Sequence, residues 1–229
     1  MTFLELCQRT RQECGIAGDG PTTVVGQTRE MKRLCDWVAQ SWVDIQQQRT
    51  DWRFMNADFT FTTVASQQSY AVGTGLDINL SNFKRWINDS FRAYLQTAGV
   101  ATEVILSQYH DYASFRDFYL LGSRRLVEGR PLYITIAPNQ SLLLGFIPND
   151  VYVVSGRYYK TAQILALDAD VPDFPEDYHM LIVYKAMQKY GRFEAAAEQI
   201  AAGKEDYNEL FNRLVTDQTP EIMQAGSLI

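Results

Sequence analysis

The sequence lacks the features by which several large classes of protein are recognised. None of its apolar runs approaches the about 18 uninterrupted residues of a membrane-spanning helix. Basic residues are in the minority, with 21 Lys and Arg against 27 Asp and Glu, for a net charge of −6. A nucleic-acid-binding face would need a basic stripe that releases counterions, so this charge argues against one. The N-terminus also lacks the basic cluster and apolar run of a signal peptide.

Cysteine and histidine are scarce, which limits the sites that the chain can build. The three cysteines, Cys7, Cys14 and Cys35, are odd in number and show no C-x-x-C spacing. We therefore expect buried thiols in a reducing compartment and no zinc site. The two histidines are His110 and His179, and a lone histidine is more often structural than catalytic.

Motifs of nucleotide, metal and hydrolase sites are also absent. No G-x-S-x-G motif occurs, and the one Gly–Lys pair, at Gly203, is followed by Glu and does not complete a phosphate-binding loop. Asp168 and Asp170 begin like a calcium loop, but Asp173 stands where that loop needs glycine and His179 where it needs Glu. The sequence therefore predicts no catalytic residue, no metal and no cofactor.

The acidic stretch LDADVPDFPED precedes an apolar helix that is expected to begin near Pro175. Glu176 and Asp177 fall in its first turn, where negative charge complements the helix dipole. The helix is apolar nearly all round, which predicts that it is buried. We therefore interpret the carboxylates as a solvated helix-capping loop and His179 as an anchor that hydrogen-bonds to a neighbouring loop.

What the sequence does contain begins with helical patterns over its first fifty residues. Thr2 and Glu5 form a capping-box signature for a short helix that ends near Gly15. Thr28 is expected to cap a longer helix over 29–49, whose apolar residues recur at intervals of three and four.

That longer helix carries two tryptophans in different positions. Trp42 lies on its apolar stripe, and Trp37 lies partly off it. A second apolar face suits a helix that packs on two sides or one that meets another subunit. Trp37 and Trp42 are therefore candidate interface residues.

Strand patterns fill the middle of the chain. FTFTTV and SYAV predict a hairpin over 59–72, and 82–95 predicts a second hairpin that turns at Asn88–Asp89. A short aromatic helix is expected within 111–122. The region 129–160 holds three apolar runs divided by the turn clusters APNQ and IPND, which predicts a meander.

Helical patterns return in the last third. One helix is expected from Pro175 to about Tyr190, a second over FEAAAEQIAAG that Gly203 closes, and a third over KEDYNELFNRLVTD. The pattern predicts an α+β fold, with helical N- and C-terminal segments packed around a mostly antiparallel sheet or sandwich. The expected domains are an N-terminal helical segment, a β region with a short helix, C-terminal helices that pack with the N-terminal ones, and an extended tail: 1–50, 51–165, 166–216 and 217–229.

The order of these patterns is distinctive. An N-terminal helical pair is followed by FKRWINDSFRAYL, by an aromatic helix near DYASFRDFY, by GRPLYITIAPNQSLLL and IPNDVYVVSGRYYK, and by VPDFPEDYHMLIVYKAMQKYGRFEAAAE. This order resembles that of the head–tail adaptor (connector) proteins of tailed bacteriophages, and the resemblance runs from Phe3 to about Leu214.

The resemblance implies a structural virion protein and no catalytic residue. Such adaptors form a homo-oligomeric ring, usually twelvefold, that docks beneath the portal protein, joins the capsid to a tail or nozzle protein and lets double-stranded DNA pass through its lumen without specific binding. The protein would be made in the host cytoplasm and carried at the head–tail interface of the virion, with no membrane. A terminal segment often reaches into the portal, and the candidate residues here are Asp217, Gln218, Thr219, Pro220, Glu221, Ile222, Met223, Leu228 and Ile229.

The residues by themselves agree with this role without selecting it. A conduit for DNA should not grip it, and an acidic subunit repels phosphate over the screening distance. Two other hypotheses stay open at this point. One is a monomeric or dimeric peptide- or glycan-binding module with exposed tyrosines on a sheet face. The other is a hydrolase that uses His110 or His179 with Asp170 or Asp177 in one pocket.

Overall fold

The computed structural model describes residues 1–18 and 20–219 and shows the expected mixed α+β fold. Five α-helices occur in this part of the chain: α1 Phe3–Glu13, α2 Arg29–Gln47, α3 Tyr112–Phe115, α4 Met180–Phe193 and α5 Ala197–Gln218. Eleven strands lie between the second and fourth helices: β1 Asn56–Thr62, β2 Ser69–Tyr70, β3 Phe83–Trp86, β4 Arg92–Leu95, β5 Val104–Ile105, β6 Ser107–Tyr109, β7 Glu128–Gly129, β8 Tyr133–Ile136, β9 Leu142–Leu144, β10 Ile147–Pro148 and β11 Tyr152–Lys160.

The chain divides into two compact units. The helical unit is discontinuous and comprises Met1–Met55 and Ala162–Ile229, while the β unit comprises Asn56–Thr161. All the strands of the described chain lie in the β unit, and all its long helices lie in the helical unit. The β unit is therefore an insertion between two helical segments that share one core.

The helix α1 begins with the capping box that the sequence predicts. The Thr2 hydroxyl accepts a hydrogen bond from the Glu5 backbone N–H at 3.3 Å, and the Glu5 carboxylate accepts one from the Thr2 N–H at 2.8 Å. These two bonds satisfy donors that a helix N-terminus otherwise leaves without a partner. The helix ends at Glu13, just before Gly15, whose φ of 66° is a left-handed conformation that glycine adopts without strain.

The helix α2 follows the predicted apolar stripe, with Leu34, Val38 and Trp42 buried along it. Its predicted cap is only partly correct. Thr28 occupies the N-cap position with extended backbone, but its side chain makes no capping hydrogen bond.

The last two helices form a closely packed pair. A Cβ at Gly203 would lie 3.1 Å from the Tyr184 carbonyl oxygen and 3.3 Å from Met187 Cβ, and a Cβ at Gly191 would lie 2.8 Å from Ile200 Cγ1. Glycine at both positions therefore lets α4 and α5 approach closely. The prediction that Gly203 closes one helix and a third helix follows was wrong, because α5 runs unbroken through this glycine.

The β unit has two main sheets that contribute to one core. One sheet has the order β1-β11-β4-β5, with β3 also paired to β11, and the other has the order β2-β9-β8-β6. Strands β7 and β10 form a small parallel pair. The buried cluster combines side chains of both sheets, with Phe59 and Trp86 from the first and Tyr70 and Leu142 from the second.

The first predicted hairpin, over 59–72, does not form. Strand β1 pairs antiparallel with β11, with Asn56 opposite Tyr159, and β2 pairs with β9 in the other sheet. The loop between β1 and β2 therefore carries the chain from one sheet to the other instead of folding a strand back on its neighbour.

The second predicted hairpin, over 82–95, is also absent. Both β3 and β4 pair antiparallel with β11, with Trp86 opposite Tyr158 and Ala93 opposite Val154. They are successive parts of one interrupted strand, and Asn88–Asp89 lies in the excursion between them. Asp89 adopts a φ of 56°, a left-handed conformation typical of turns. The turn predicted at Asn88–Asp89 therefore forms, but it belongs to a bulge-like loop and not to a hairpin.

The predicted meander over 129–160 is correct only in its first half. Strands β8 and β9 form an antiparallel pair across the APNQ turn, with Ile136 opposite Leu142. Strand β11 leaves this sheet and becomes the central partner of β1, β3 and β4.

The aromatic helix predicted within 111–122 exists in a modified form. Asp111 caps it by accepting from the backbone N–H groups of Ala113 and Ser114 at 3.1 and 3.0 Å. After one α-helical turn the chain widens into a π-helical turn over Arg116–Leu120. Phe115 and Tyr119 point into the unit and are buried.

Candidate assembly surfaces

His179 is a buried structural residue, as the sequence suggested. Its Nε2 lies 3.2 Å from the Phe174 carbonyl oxygen and its Nδ1 lies 2.8 Å from the Met1 nitrogen. The imidazole also stacks on the Phe174 ring at 5.2 Å. Burial lowers the pKa of His179, which favours the neutral ring. The prediction of a hydrogen-bonding anchor is confirmed.

The carboxylates before His179 fold the loop that contains them. One oxygen of Asp170 accepts hydrogen bonds from the Ala166 and Leu167 backbone N–H groups at 2.7 and 2.8 Å, which lower the pKa of Asp170. Asp168 accepts from the Val24 N–H at 2.5 Å. No group of three or more His, Cys, Asp or Glu within residues 1–18 and 20–219 could hold a metal ion.

The nearest polar partners of the two histidines are groups other than Asp170 and Asp177. His110 belongs to the β unit, where its Nε2 lies 3.4 Å from Asp89 at an exposed position. Both ring nitrogens of His179 already face the backbone of Phe174 and the Met1 nitrogen, so neither is directed at Asp170 or Asp177.

The three cysteines are free and buried. The Cys7 thiol hydrogen-bonds with Cys35, and this contact raises the pKa of Cys7, with a further contribution from burial. Burial raises the pKa of Cys14 to about 12. The expectation of buried thiols is confirmed.

The two candidate tryptophans occupy different environments. Trp42 is 0% exposed, its Nε1–H donates to Gln163 Oε1 at 2.9 Å, and its ring lies 4.5 Å from that of Phe174. It is a core residue of the helical unit and presents no surface to a partner. Trp37 is half-buried against Tyr190 and Phe193 of α4, at 6.2 and 5.6 Å between ring centres.

The candidate tail lies only partly within the described residues. Asp217 and Gln218 complete α5. Asp217 and Thr219 border an open groove of about 620 Å³ that Arg53 and Arg213 also line. The remaining candidates lie outside the described residues: Pro220, Glu221, Ile222, Met223, Leu228 and Ile229.

The sheet does not display tyrosines to solvent. Tyr70, Tyr152 and Tyr158 are buried, and each of the other ten tyrosines is either buried or half-buried. The exposed aromatic face that a peptide- or glycan-binding module would use is therefore not present among the thirteen tyrosines.

Exposed apolar side chains concentrate instead in two segments that sequence reasoning missed. The first segment, in the β unit, begins within the π-helical turn and includes Phe118, Leu121, Leu126 and Val127. The second, in the helical unit, precedes α4 and includes Ile164, Leu167 and Val171. Exposed apolar patches of this kind mark interaction surfaces.

Charge separates the two units more sharply than the net value of the chain suggests. The helical unit contains 12 Lys and Arg against 19 Asp and Glu, while the β unit contains 9 against 8. The acidity of the chain therefore belongs to the helical unit alone.

One comparison with known proteins decides the family. A family model described as "SU10 adaptor protein" matches residues 1–227, which is nearly the whole chain. The chain belongs to the SU10 adaptor protein family. No curated protein matches the sequence.

Membership of the SU10 adaptor family confirms the resemblance to phage head–tail adaptors. The family is one of structural phage proteins and not of catalysts, and it implies portal and tail proteins as partners and a place in the virion. Among the described residues, no helix has the length and hydropathy that crossing a bilayer requires.

Proposed function

We propose that this chain is a head–tail adaptor that assembles into a ring, docks on the portal and connects the capsid to the tail. The observation that carries the proposal is the family match over residues 1–227, because it covers both units and not a single shared domain. The ring is twelvefold to match a twelvefold portal, and a tail or nozzle protein binds its other face.

Double-stranded DNA passes through the lumen of this ring without specific binding. The charge of the helical unit supports the proposal, because 19 acidic side chains against 12 basic ones repel phosphate where they face DNA. The nearly balanced β unit neither attracts nor repels DNA strongly by net charge.

The terminal segment from Asp217 to Ile229 contacts the portal. Four large apolar residues in its last eight positions, Ile222, Met223, Leu228 and Ile229, suit a segment that inserts into a partner. A chain that lacks 218–229 should fold with an unchanged far-ultraviolet spectrum but fail to bind the portal. Normal docking by the truncated protein would refute the role of this segment.

Trp37 contributes to the contact between subunits. It lies half-buried at the surface of α2, beside the exposed Phe193, and half-buried aromatic residues are enriched at interfaces. We expect Trp37→Ala to weaken ring formation more than it lowers the stability of the monomer. Equal losses would place Trp37 in the packing of the subunit alone.

The deciding experiment is native mass spectrometry of the protein alone and mixed with the portal ring of the same phage. A stack of twelve copies on the portal is the expected species. A monomer that ignores the portal would overturn the proposal.

A further inference from the structure

The β unit displays a loop that is both apolar and basic, which we call the docking loop, residues 116–132. Every residue from 121 to 128 is exposed, and Leu126 is 74% exposed. Phe118, Leu121 and Val127 are also exposed on this loop. Isolated exposed apolar residues are ordinary on a protein surface, but several within one short segment mark a binding surface.

Two arginines stand among these apolar side chains. The Arg124 guanidinium lies 3.6 Å from the centre of the Phe118 ring, and Arg125 forms no ion pair with any described residue. The other two arginines of the loop are engaged, since Arg116 pairs with Asp117 at 3.3 Å and Arg130 donates to the Thr102 carbonyl. Arginine beside an aromatic side chain is typical of protein–protein interfaces, where both residue types are enriched.

The helical unit displays the opposite charge around a second apolar surface, which we call the acidic strap, residues 161–178. No Lys or Arg occurs between Thr161 and Tyr184, whereas five carboxylates fall within the strap. One of them, Glu176, is exposed and also pairs with the Met1 ammonium at 2.9 Å. Its apolar side chains are well exposed, with Ile164 at 72%, Leu167 at 61% and Val171 at 48%.

Buried side chains attach both surfaces to the core of their own unit. Buried Leu165 and Phe174 hold the strap, and the hydrogen bonds of Asp170 close its turn. Buried Phe115 and Tyr119 hold the base of the docking loop. Segments that are already ordered lose little conformational entropy on binding.

We propose that the docking loop of one subunit binds the acidic strap of a second copy of this chain, and that this contact closes the adaptor ring. This inference rests on the proposed ring function. A ring needs a heterologous interface made of two different faces of each subunit, and the loop and the strap are such a pair. Their apolar side chains cover one another, while Arg124 and Arg125 face the strap carboxylates.

A second copy fits these surfaces better than DNA does. Phosphate groups would match Arg124 and Arg125, but they would leave Leu121, Leu126 and Val127 in water. A neighbouring copy offers apolar cover and negative charge together, and every subunit of a ring carries both surfaces.

The test uses charge reversal on the intact chain. The loop variant is Arg124→Glu with Arg125→Glu, the strap variant is Glu176→Lys with Asp177→Lys, and a third chain carries all four changes. Matched controls reverse the same number of exposed charges elsewhere: Lys84→Glu with Arg157→Glu in the β unit and Glu198→Lys with Glu205→Lys on α5. Native mass spectrometry and sedimentation velocity measure ring formation, with and without the portal ring.

We expect each reversal alone to raise the concentration at which rings form by about tenfold or more, because like charges then face each other at the contact. The matched controls should assemble like the original chain. Rings should return when the loop and strap variants are mixed, since their subunits can alternate, and in the chain that carries all four changes. Such mutual rescue arises only if the two surfaces touch.

Several outcomes would overturn the inference. It fails if the loop variant and the strap variant both form rings normally. It also fails if both variants lose ring formation and neither mixing them nor combining all four substitutions in one chain restores it. A loop variant that forms rings but no longer binds the portal or retains DNA would assign the loop to that partner instead. The proposed function fails separately, if the original chain neither forms rings nor stacks on the portal. If the original chain stacks and the reversals are neutral, this inference alone fails.

Discussion

The helical unit and the β unit differ in how the chain builds them and in what they present to solvent. The helical unit brings together residues from both ends of the sequence and carries a net charge of −7, whereas the β unit is one continuous insertion with a net charge of +1. The core of the β unit is rich in aromatic side chains, such as those of Phe59, Trp86 and Tyr158. The difference shows that the excess of negative charge belongs to one unit, whereas aromatic packing occurs in both.

The largest expected effects come from truncating one buried tryptophan in each unit. Trp42→Ala removes a ring that lies 4.5 Å from the Phe174 ring, and Trp86→Ala removes one that lies 4.6 Å from the Phe59 ring. Each should lower the free energy of unfolding by about 3–5 kcal/mol. Hydrogen exchange should accelerate mainly in the unit that carries the change. Equal acceleration throughout the chain would show that the two units unfold as one.

Glycine substitutions test whether close approach matters equally in both units. Gly203→Val would press on the Tyr184 carbonyl, and Gly156→Val would place a Cβ 2.9 Å from Phe59 Cε1. Each should cost about 1–3 kcal/mol in urea denaturation, because overpacking strains a filled core. Ala202→Val, at an exposed position on α5, is the control and should cost only the helix propensity of about 0.5 kcal/mol. A loss at Gly203 no larger than the control would remove the packing explanation.

The dependence of stability on pH should originate in the helical unit in the window just below about pH 6.5, the histidine value of the unfolded chain. Burial lowers the pKa of His179 in the folded state, so the unfolded chain binds its proton more tightly. Stability should therefore fall as the pH drops below the unfolded histidine value of about 6.5. Carboxylates with lowered pKa values, such as Asp170, lose their contribution only at lower pH.

The matched variants separate the two histidines. His179→Gln should flatten the unfolding free energy over this window, while His110→Gln, at an exposed position, should leave it unchanged. If both variants showed the same dependence of unfolding free energy on pH, the assignment of this dependence to His179 would be wrong.

The smallest expected effect concerns the stability of the docking loop itself. Arg124→Ala removes a cation–π contact with exposed Phe118, which at such sites contributes about 0.5–1 kcal/mol. The melting temperature of the monomer should shift by only a few degrees or less. A large drop in melting temperature would mean that Arg124 supports the fold. The charge-reversal test of the loop would then use Arg125→Glu alone.

The two units also differ in how well the sequence predicts them. The capping box of Thr2 and Glu5 and the stripe through Trp42 are local patterns, and the structure contains both helices. Strand pairing is not local, because β1 finds its partner in β11 at the other end of the unit. Adjacent strand patterns therefore suggested hairpins that do not form.

Other features that the sequence did not predict correctly also depend on contacts between distant residues. Gly203 was predicted to end a helix, because glycine often does so. Its actual role, close packing against the Tyr184 backbone, depends on a residue that is distant along the chain and so gives no local signal. The second apolar face at Trp37 was correctly identified, and the structure adds α4 as a neighbour in the same chain. The docking loop was not predicted, because the spacing of the aromatic residues before it indicated only a helix. The two adjacent arginines, Arg124 and Arg125, beside leucines were the signal in the sequence that could have suggested it.

The β unit begins at Asn56 and ends near Tyr159, and these two residues are direct partners on adjacent strands. The excursion from the helical segments therefore leaves and returns at almost the same point, within one strand spacing of about 5 Å. An insertion with neighbouring ends can be lengthened, replaced or removed without stretching the chain that receives it. Evolution could thus exchange this module between adaptors for different tails, and an engineer could graft another one at the same junction.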